Sequence, residues 1–276
     1  MNPRIGVLAS LKAEGSSFQP VLDLGLRVCQ LSGWEPELWS DALAERVKQE
    51  STSSGVRMSA FWAGWPGPKV WDFVSGPATL GIVPKEYCEM RVRALQKAAG
   101  FASRLGVTAI ITHLGFIPEN PSDPAFAEVV SAVRRIAVRL QALGMEFWFE
   151  TGQETPVTML RLIRSVGTGN LGVNLDPANL ILYGKGDPVD SLDVFGSLVR
   201  NVHAKDGLYP TDPMKLGIEV RLGEGKVRFP QFIRRLAEVG FRGELIIERE
   251  ISGDQQTRDI RQAALYLDGL LKEAGG

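Results

Sequence analysis

Short apolar, β-rich runs alternate with longer amphipathic stretches along this chain, and the alternation can be counted eight times. The first run is IGVLAS, with helical spacing after it over 20–31. PELWS reads as a weak second strand, followed by the helical DALAERVKQE. VRMSAFW comes third, then a long insertion and a helix over 86–105. VTAIITHLG, MEFWFE and LGVNLD follow, with helices over 124–143, over 156–165 and around Leu192. LVRNVHA is the seventh run, and a long loop separates it from a helix over 230–239. ELIIERE is the eighth, and DIRQAALYLDGLLKEA closes the chain. Eight such units in 276 residues predict an α/β fold, a (β/α)8 TIM barrel with one domain over 1–276. A doubly wound open sheet would need only about six strands, and no Gly-rich turn follows IGVLAS to hold a dinucleotide phosphate.

Composition narrows the partners. With 31 Lys and Arg against 32 Asp and Glu, the formal charge of -1 offers no long-range pull on a polyanion, so nucleic acid is not an expected partner. Cys29 and Cys88 form no CxxC pair, which argues against a thiolate zinc site or a disulfide framework. The opening MNPRIGVLAS turns polar again at Lys12 and Glu14, and no 18-residue apolar span follows. A soluble, cytoplasmic protein without a membrane partner is the expectation.

In a barrel, the loops at the carboxyl ends of the strands carry the chemistry. The late strands end in Glu150, Asp176, His203 and Glu248, each after an apolar run and each aimed at one mouth. Carboxylates gathered there repel one another and raise their own pKa values, a conflict that a divalent cation removes. Three carboxylates and one imidazole suit Mn2+, Mg2+ or Co2+ better than a structural Zn2+. Such an ion would bind vicinal oxygens of a sugar-like substrate and ease enediolate formation, with Glu150 and Glu248 as the acid/base pair. Each residue also has a structural reading: Glu150 as a helix cap, Asp176 as a turn former before Pro177, His203 as a hydrogen-bonded core histidine. Glu248 has a rival in Glu250, two positions on along the same face.

These stretches carry a family likeness. THLGFIP, FETGQET, NLDPANL, VHAKDG, GEGKV and GELIIERE resemble, in order, the motifs of the xylose isomerase-like TIM-barrel superfamily, the sugar phosphate isomerase/epimerase group. The resemblance covers most of the chain beyond Ala60 and implies a Mn2+-type site at Glu150, Asp176, His203 and Glu248. It implies a sugar isomerase or epimerase in which the first and last glutamates exchange the substrate proton, and often a homodimer or homotetramer. Asn179 stands where the epimerases usually place a substrate-binding His, and Lys205 and Asp206 precede any substrate-contacting Arg. The HxKD arrangement is similar to that of the inosose dehydratase-like members. A dehydratase or lyase on the same metal, or a sugar-binding barrel without catalysis, are thus the rival functions. The endonuclease IV branch needs many histidines, and this chain has only His113 and His203.

Further residues are candidates for substrate contact. His113 closes the fourth strand and faces the same mouth, as a hydroxyl contact, a partner for Glu150 or a core histidine. Lys205 can neutralise an enolate or bind an anion, or serve as a surface lysine paired with Asp206. Trp62, Trp65 and Trp71 sit in a Pro- and Gly-rich loop suited to stacking on a sugar ring, or to sealing the mouth. Gln153 and Glu154 can orient the ligands, and Glu154 can equally cap the next helix. The seventh loop carries Lys215 and Arg221 as possible anion contacts, and the amides of Gly223 and Gly225 as a weak phosphate cradle opposed by Glu224.

Overall fold

The computed structural model describes residues 4–275, so residues 1–3 and 276 of the expected domain lie outside the described residues. Its strands, in chain order, are β1 (Ile5–Ser10), β2 (Val28–Gly33), β3 (Arg57–Ala63), β4 (Ala109–Thr112) and β5 (Glu146–Glu150). They continue with β6 (Leu171–Leu175), β7 (Val199–Ala204), β8 (Asp206–Leu208), β9 (Ile218–Val220) and β10 (Leu245–Ile247). Eight of these close into a parallel barrel in the order β1-β10-β7-β6-β5-β4-β3-β2, while β8 and β9 form a separate antiparallel hairpin. The protein is therefore a single-domain (β/α)8 barrel, closed without a free strand edge in its main sheet.

The helices are α1 (Gln19–Asp23), α2 (Asp41–Ser54), α3 (Gly76–Thr79), α4 (Lys85–Leu105) and α5 (Pro124–Gln141). After them come α6 (Pro156–Val166), α7 (Pro177–Leu182), α8 (Pro188–Phe195), α9 (Phe229–Glu238) and α10 (Asp254–Gly275). Helix α5 shows why they pack as they do. Its buried residues Phe126, Val129, Val133, Ile136, Ala137 and Leu140 recur at helical spacing and present one apolar stripe to the sheet. None of the helices among the described residues is long and apolar enough to cross a membrane.

The second unit departs from the sequence expectation. VCQLSG, not PELWS, is the second strand; it pairs with β1 and β3 and is buried along its whole length. The helical spacing over 20–31 shrinks to the five residues of α1. A short apolar run buried on both faces carries no period that separates strand from helix. PELWS instead begins a 3-10 turn at Pro36, whose missing N–H suits it poorly to a sheet ladder. The seventh loop also gains structure that sequence did not suggest, the β8–β9 hairpin, and α7 forms directly after Asp176.

Candidate metal centre

Four adjacent strands of the barrel bring the expected ligands together. Glu150 ends β5, Asp176 follows β6, His203 lies near the end of β7, and Glu248 follows β10. Because β5, β6, β7 and β10 are neighbours in the barrel, these four residues share one half of its rim. Each offers one ligand atom, and those atoms all lie within 4.8 Å of one another. His203 Nδ1 is 2.8 Å from Glu248 Oε2, 3.0 Å from Glu150 Oε1 and 4.0 Å from Asp176 Oδ2.

The imidazole is oriented from behind. His203 Nε2 lies 2.7 Å from the side-chain oxygen of Gln30, on β2. Gln30 uses its amide nitrogen on Asn174 Oδ1, which also accepts from Asn201 Nδ2 at 2.9 Å. The Gln30 oxygen is thus the atom turned to the ring, so Nε2 carries a proton and Nδ1 is the nitrogen turned to the carboxylates, which raise the imidazole's pKa well above its ordinary value. Gln30, Asn174 and Asn201 are functional candidates that the sequence did not reveal. Uncharged amides inside strands leave no signature, and Gln30 meets His203 across 173 residues of chain.

Asp176 has two uses at once. Its Oδ1 accepts the Asn179 amide at 2.9 Å and so caps α7, as a turn-forming aspartate would. Its Oδ2 makes no directional hydrogen bond, nor does Glu248 Oε2, although both are buried atoms. Lys205 Nζ stands 2.9 Å from Asp176 Oδ2, 3.5 Å from Glu248 Oε2 and 2.9 Å from Glu250 Oε1. The lysine is therefore a buried member of the cluster and not a surface residue. Burial and the neighbouring Glu248 and Glu150 carboxylates push the Asp176 carboxyl up to about 7, against the pull of Lys205. Burial also raises Glu150 and Glu248, but His203 and His113 on the first, and Lys205 and His203 on the second, bring both below the ordinary value. Crowded oxygens without directional partners, a correctly presented imidazole nitrogen and an oxygen-rich donor set fit a divalent cation held by Glu150, Asp176, His203 and Glu248.

A cavity of about 280 Å³ opens over this cluster, with Glu150, Glu248 and Glu250 on its floor and rim. Trp34, Trp62 and Trp71 line it opposite the ligand strands, together with His113, Asn179 and Tyr183. Trp62 lines the wall and also donates its indole N–H to Glu150 Oε2. His113 stacks edge-on against Trp62 and Trp71 at 5.8 and 5.1 Å, with its Nε2 3.5 Å from Glu150 Oε1 and its Nδ1 unpartnered. Asn179 donates its side-chain amide to the Thr151 carbonyl at 3.2 Å. Burial pushes the Tyr183 phenol up to about 12, so it remains an O–H donor.

Other expectations fall elsewhere. Trp65 does not line the cavity; it is buried behind it, against Trp34, Trp62 and Trp71. Arg91, wholly buried in α4, stacks on Trp65 and donates to the carbonyls of Pro66, Pro68 and Gly81, which pins this loop. Arg221 is drawn away from the mouth by Asp259 in α10, 3.2 Å from its Nε, and is no cavity contact. Lys215 is exposed and pairs with Asp212. Thr155, not Glu154, caps α6. Glu154 is buried with both oxygens unpartnered, and burial pushes it up to about 7 against the pull of His113.

The phosphate cradle has an internal occupant. Asp206 does not pair with Lys205; its carboxylate accepts the amides of Gly207, Gly223, Gly225 and Val227 at 2.9 to 3.1 Å. A Cβ on Gly225 would stand 2.1 Å from Asp206 Oδ1, so only glycine permits this approach. The sequence showed amides arranged for an anion, and the anion is the chain's own.

Comparison with known proteins places the chain in a family. The profile of the xylose isomerase-like TIM barrel family matches residues 18–270, and the protein belongs to that family. The crystal structure of a xylose isomerase domain protein from Planctomyces limnophilus superposes at a TM-score of 0.94, with 34% identity over 100% of this chain and 99% of that one. A xylose isomerase-like TIM barrel protein from Mycobacterium smegmatis in complex with magnesium matches at 0.69 and 19% identity, over 92% of this chain and 86% of that one. A D-psicose 3-epimerase solved with D-fructose matches at 0.70 and 15% identity, over 99% of this chain and all of that one. Other neighbours include further sugar epimerases and a probable dehydratase. At such low identity these matches speak for the fold alone. An uncharacterised protein of Methanocaldococcus jannaschii is 22% identical over 173 residues, 59% of this chain; the chain spans 57% of that relative.

Proposed function

We propose that the protein is a divalent-metal-dependent sugar isomerase or epimerase that works through an enediolate, with Glu150 and Glu248 as the acid/base pair. The observation that carries this reading is the convergence of Glu150, Asp176, His203 and Glu248 within 4.8 Å at the floor of an aromatic cavity. Those four residues would hold Mn2+, Mg2+ or Co2+, with Zn2+ less suited, and the magnesium complex of a family member is in keeping with that. Bound there, the ion would polarise a substrate carbonyl and bind a vicinal oxygen.

The chain's own groups account for the proton movement. Glu150 and Glu248 reach the cavity from strands separated in the barrel by β6 and β7, so a small substrate can lie between them. One carboxylate takes the proton from the carbon next to the carbonyl, and the C–H electron pair moves to form the enediolate. The carboxylic acid so formed can return its proton to the adjacent carbon for isomerisation; for epimerisation it passes that proton to solvent, and the partner, protonated from solvent in turn, delivers one to the opposite face. Lys205, buried beside Asp176 and Glu248, supplies positive charge against the developing oxyanion. Trp62 holds Glu150 Oε2 while Oε1 faces His203, which fixes the orientation of the carboxylate.

Deuterium incorporation tests this. Metal-replete protein incubated in D2O with a panel of ketoses should exchange the proton next to the carbonyl and yield an epimer or isomer of unchanged composition. Absence of exchange with every ketose would contradict the reading. Two observations favour a dehydratase as the second reading: Lys205 occupies the cluster, and Asn179, not a histidine, lines the cavity. Release of water, seen as a conjugated enone absorbing in the ultraviolet, would decide for it.

A further inference from the structure

A buried ammonium and a divalent cation would draw on the same oxygens in this cluster. Lys205 Nζ is 2.9 Å from Asp176 Oδ2 and 3.5 Å from Glu248 Oε2, and these are the two buried ligand oxygens without a directional donor. Positive charges that share one set of carboxylates oppose each other, so each weakens the hold on the other. The lysine coexists with an ion only if it has an anion of its own.

Glu250 supplies that anion. It is not one of the four residues whose ligand atoms converge, yet its Oε1 accepts a directional hydrogen bond from the Lys205 ammonium at 2.9 Å. The ammonium approaches Asp176 Oδ2 equally closely, but without hydrogen-bond geometry. Glu250 is itself held from the other side. Its backbone amide donates to the two oxygens of Glu219 at 3.2 and 3.1 Å, and Glu219 pairs with Arg249 at 3.0 Å. The Glu250 side chain is 57% exposed against 1% for Lys205, so solvent screens the direct pull of this carboxylate on a more distant ion.

Resting on the metal-dependent reading above, we propose that Glu250 is a positioning residue for the metal centre. It acts as the counter-ion of Lys205, holds the ammonium by a hydrogen bond, and leaves Asp176 Oδ2 and Glu248 Oε2 to the cation. Sequence offered Glu250 only as a rival to Glu248; the two glutamates have separate tasks. Without Glu250, the carboxylates left within 4.0 Å of the ammonium are those of Asp176 and Glu248, and a dication must compete with it for them.

A double-mutant cycle on Mn2+ affinity tests this, by calorimetry on chelator-treated wild type, Glu250→Gln, Lys205→Met and the double variant, with melting curves to verify folding. Glu250→Gln should weaken Mn2+ binding about tenfold when Lys205 is present, and less than about twofold in the Lys205→Met background. Lys205→Met alone should bind Mn2+ at least as tightly as wild type, since a competing charge is gone. Lys205→Gln provides the same neutral background if Lys205→Met does not fold. Equal weakening by Glu250→Gln in both backgrounds, no weakening in either, or poorer binding in Lys205→Met would each overturn the proposal and leave the metal-dependent reading standing. Absence of Mn2+ binding in wild type would overturn both.

Discussion

Two arrangements of buried carboxylate flank the end of β7, one gathered around His203 and one formed by Asp206 alone, and they live in opposite conditions. Asp206 is one carboxylate surrounded by four backbone amides, each within 3.1 Å. Around His203, three carboxylates crowd together, and buried oxygens of Asp176 and Glu248 find no directional donor. A buried anion that is fully hydrogen-bonded holds a fold in place; buried anions left partly unsatisfied against one another call for a ligand. The first arrangement ties the seventh loop to the barrel, and its neighbour Glu219 accepts the Glu250 amide and pairs with Arg249. The second arrangement is the proposed metal centre.

If this contrast is right, mutations in the two places should damage different properties. The largest effect belongs to the cluster. Glu150→Gln or Glu248→Gln should lower turnover by about 10²–10⁴-fold or more with a cooperative thermal transition retained, as a steady-state assay and melting curves would show. On the other side, Asp206→Ala should cost about 2–4 kcal/mol in urea unfolding, because it strands four amides, while Mn2+ affinity stays close to wild type.

Glu154 sharpens the contrast, since it is a buried acid whose oxygens find no well-formed hydrogen bond. Its folded-state value of about 7 lies above the ordinary 4.5, so the folded protein binds this proton more tightly than the unfolded chain. The group's contribution is therefore intact below pH 4.5, declines as pH rises towards 7, and stays reduced above that. Glu154→Gln should lack this decline, gaining about 3 kcal/mol on wild type between pH 4.5 and pH 8 in paired urea titrations. The smallest effect is expected at Gln30. Gln30→Ala should weaken Mn2+ binding about 10–100-fold by freeing the His203 ring, measured by calorimetry on chelator-treated protein.

What sequence reveals and what it hides follow the same division. The apolar runs that end in Glu150, Asp176, His203 and Glu248 were legible because charge after a hydrophobic strand is anomalous, and the barrel places such ends at one mouth. The strand VCQLSG was hidden because full burial erases its alternation. Gln30, Asn174 and Asn201 were hidden because their partners are distant in sequence and their side chains carry no charge. Arg221 was misplaced, since a loop charge shows nothing of its direction until Asp259 in α10 is packed beside it. In the GEG segment the chemistry was legible and the occupant was not.

The most direct test is Mn2+ titration of chelator-treated protein, followed by calorimetry and electron paramagnetic resonance, in wild type, Asp176→Asn and Asp206→Asn. The account predicts one ion per chain in wild type, lost when Asp176 is neutralised and kept when Asp206 is. Equal binding in all three proteins, or none in wild type, would contradict it.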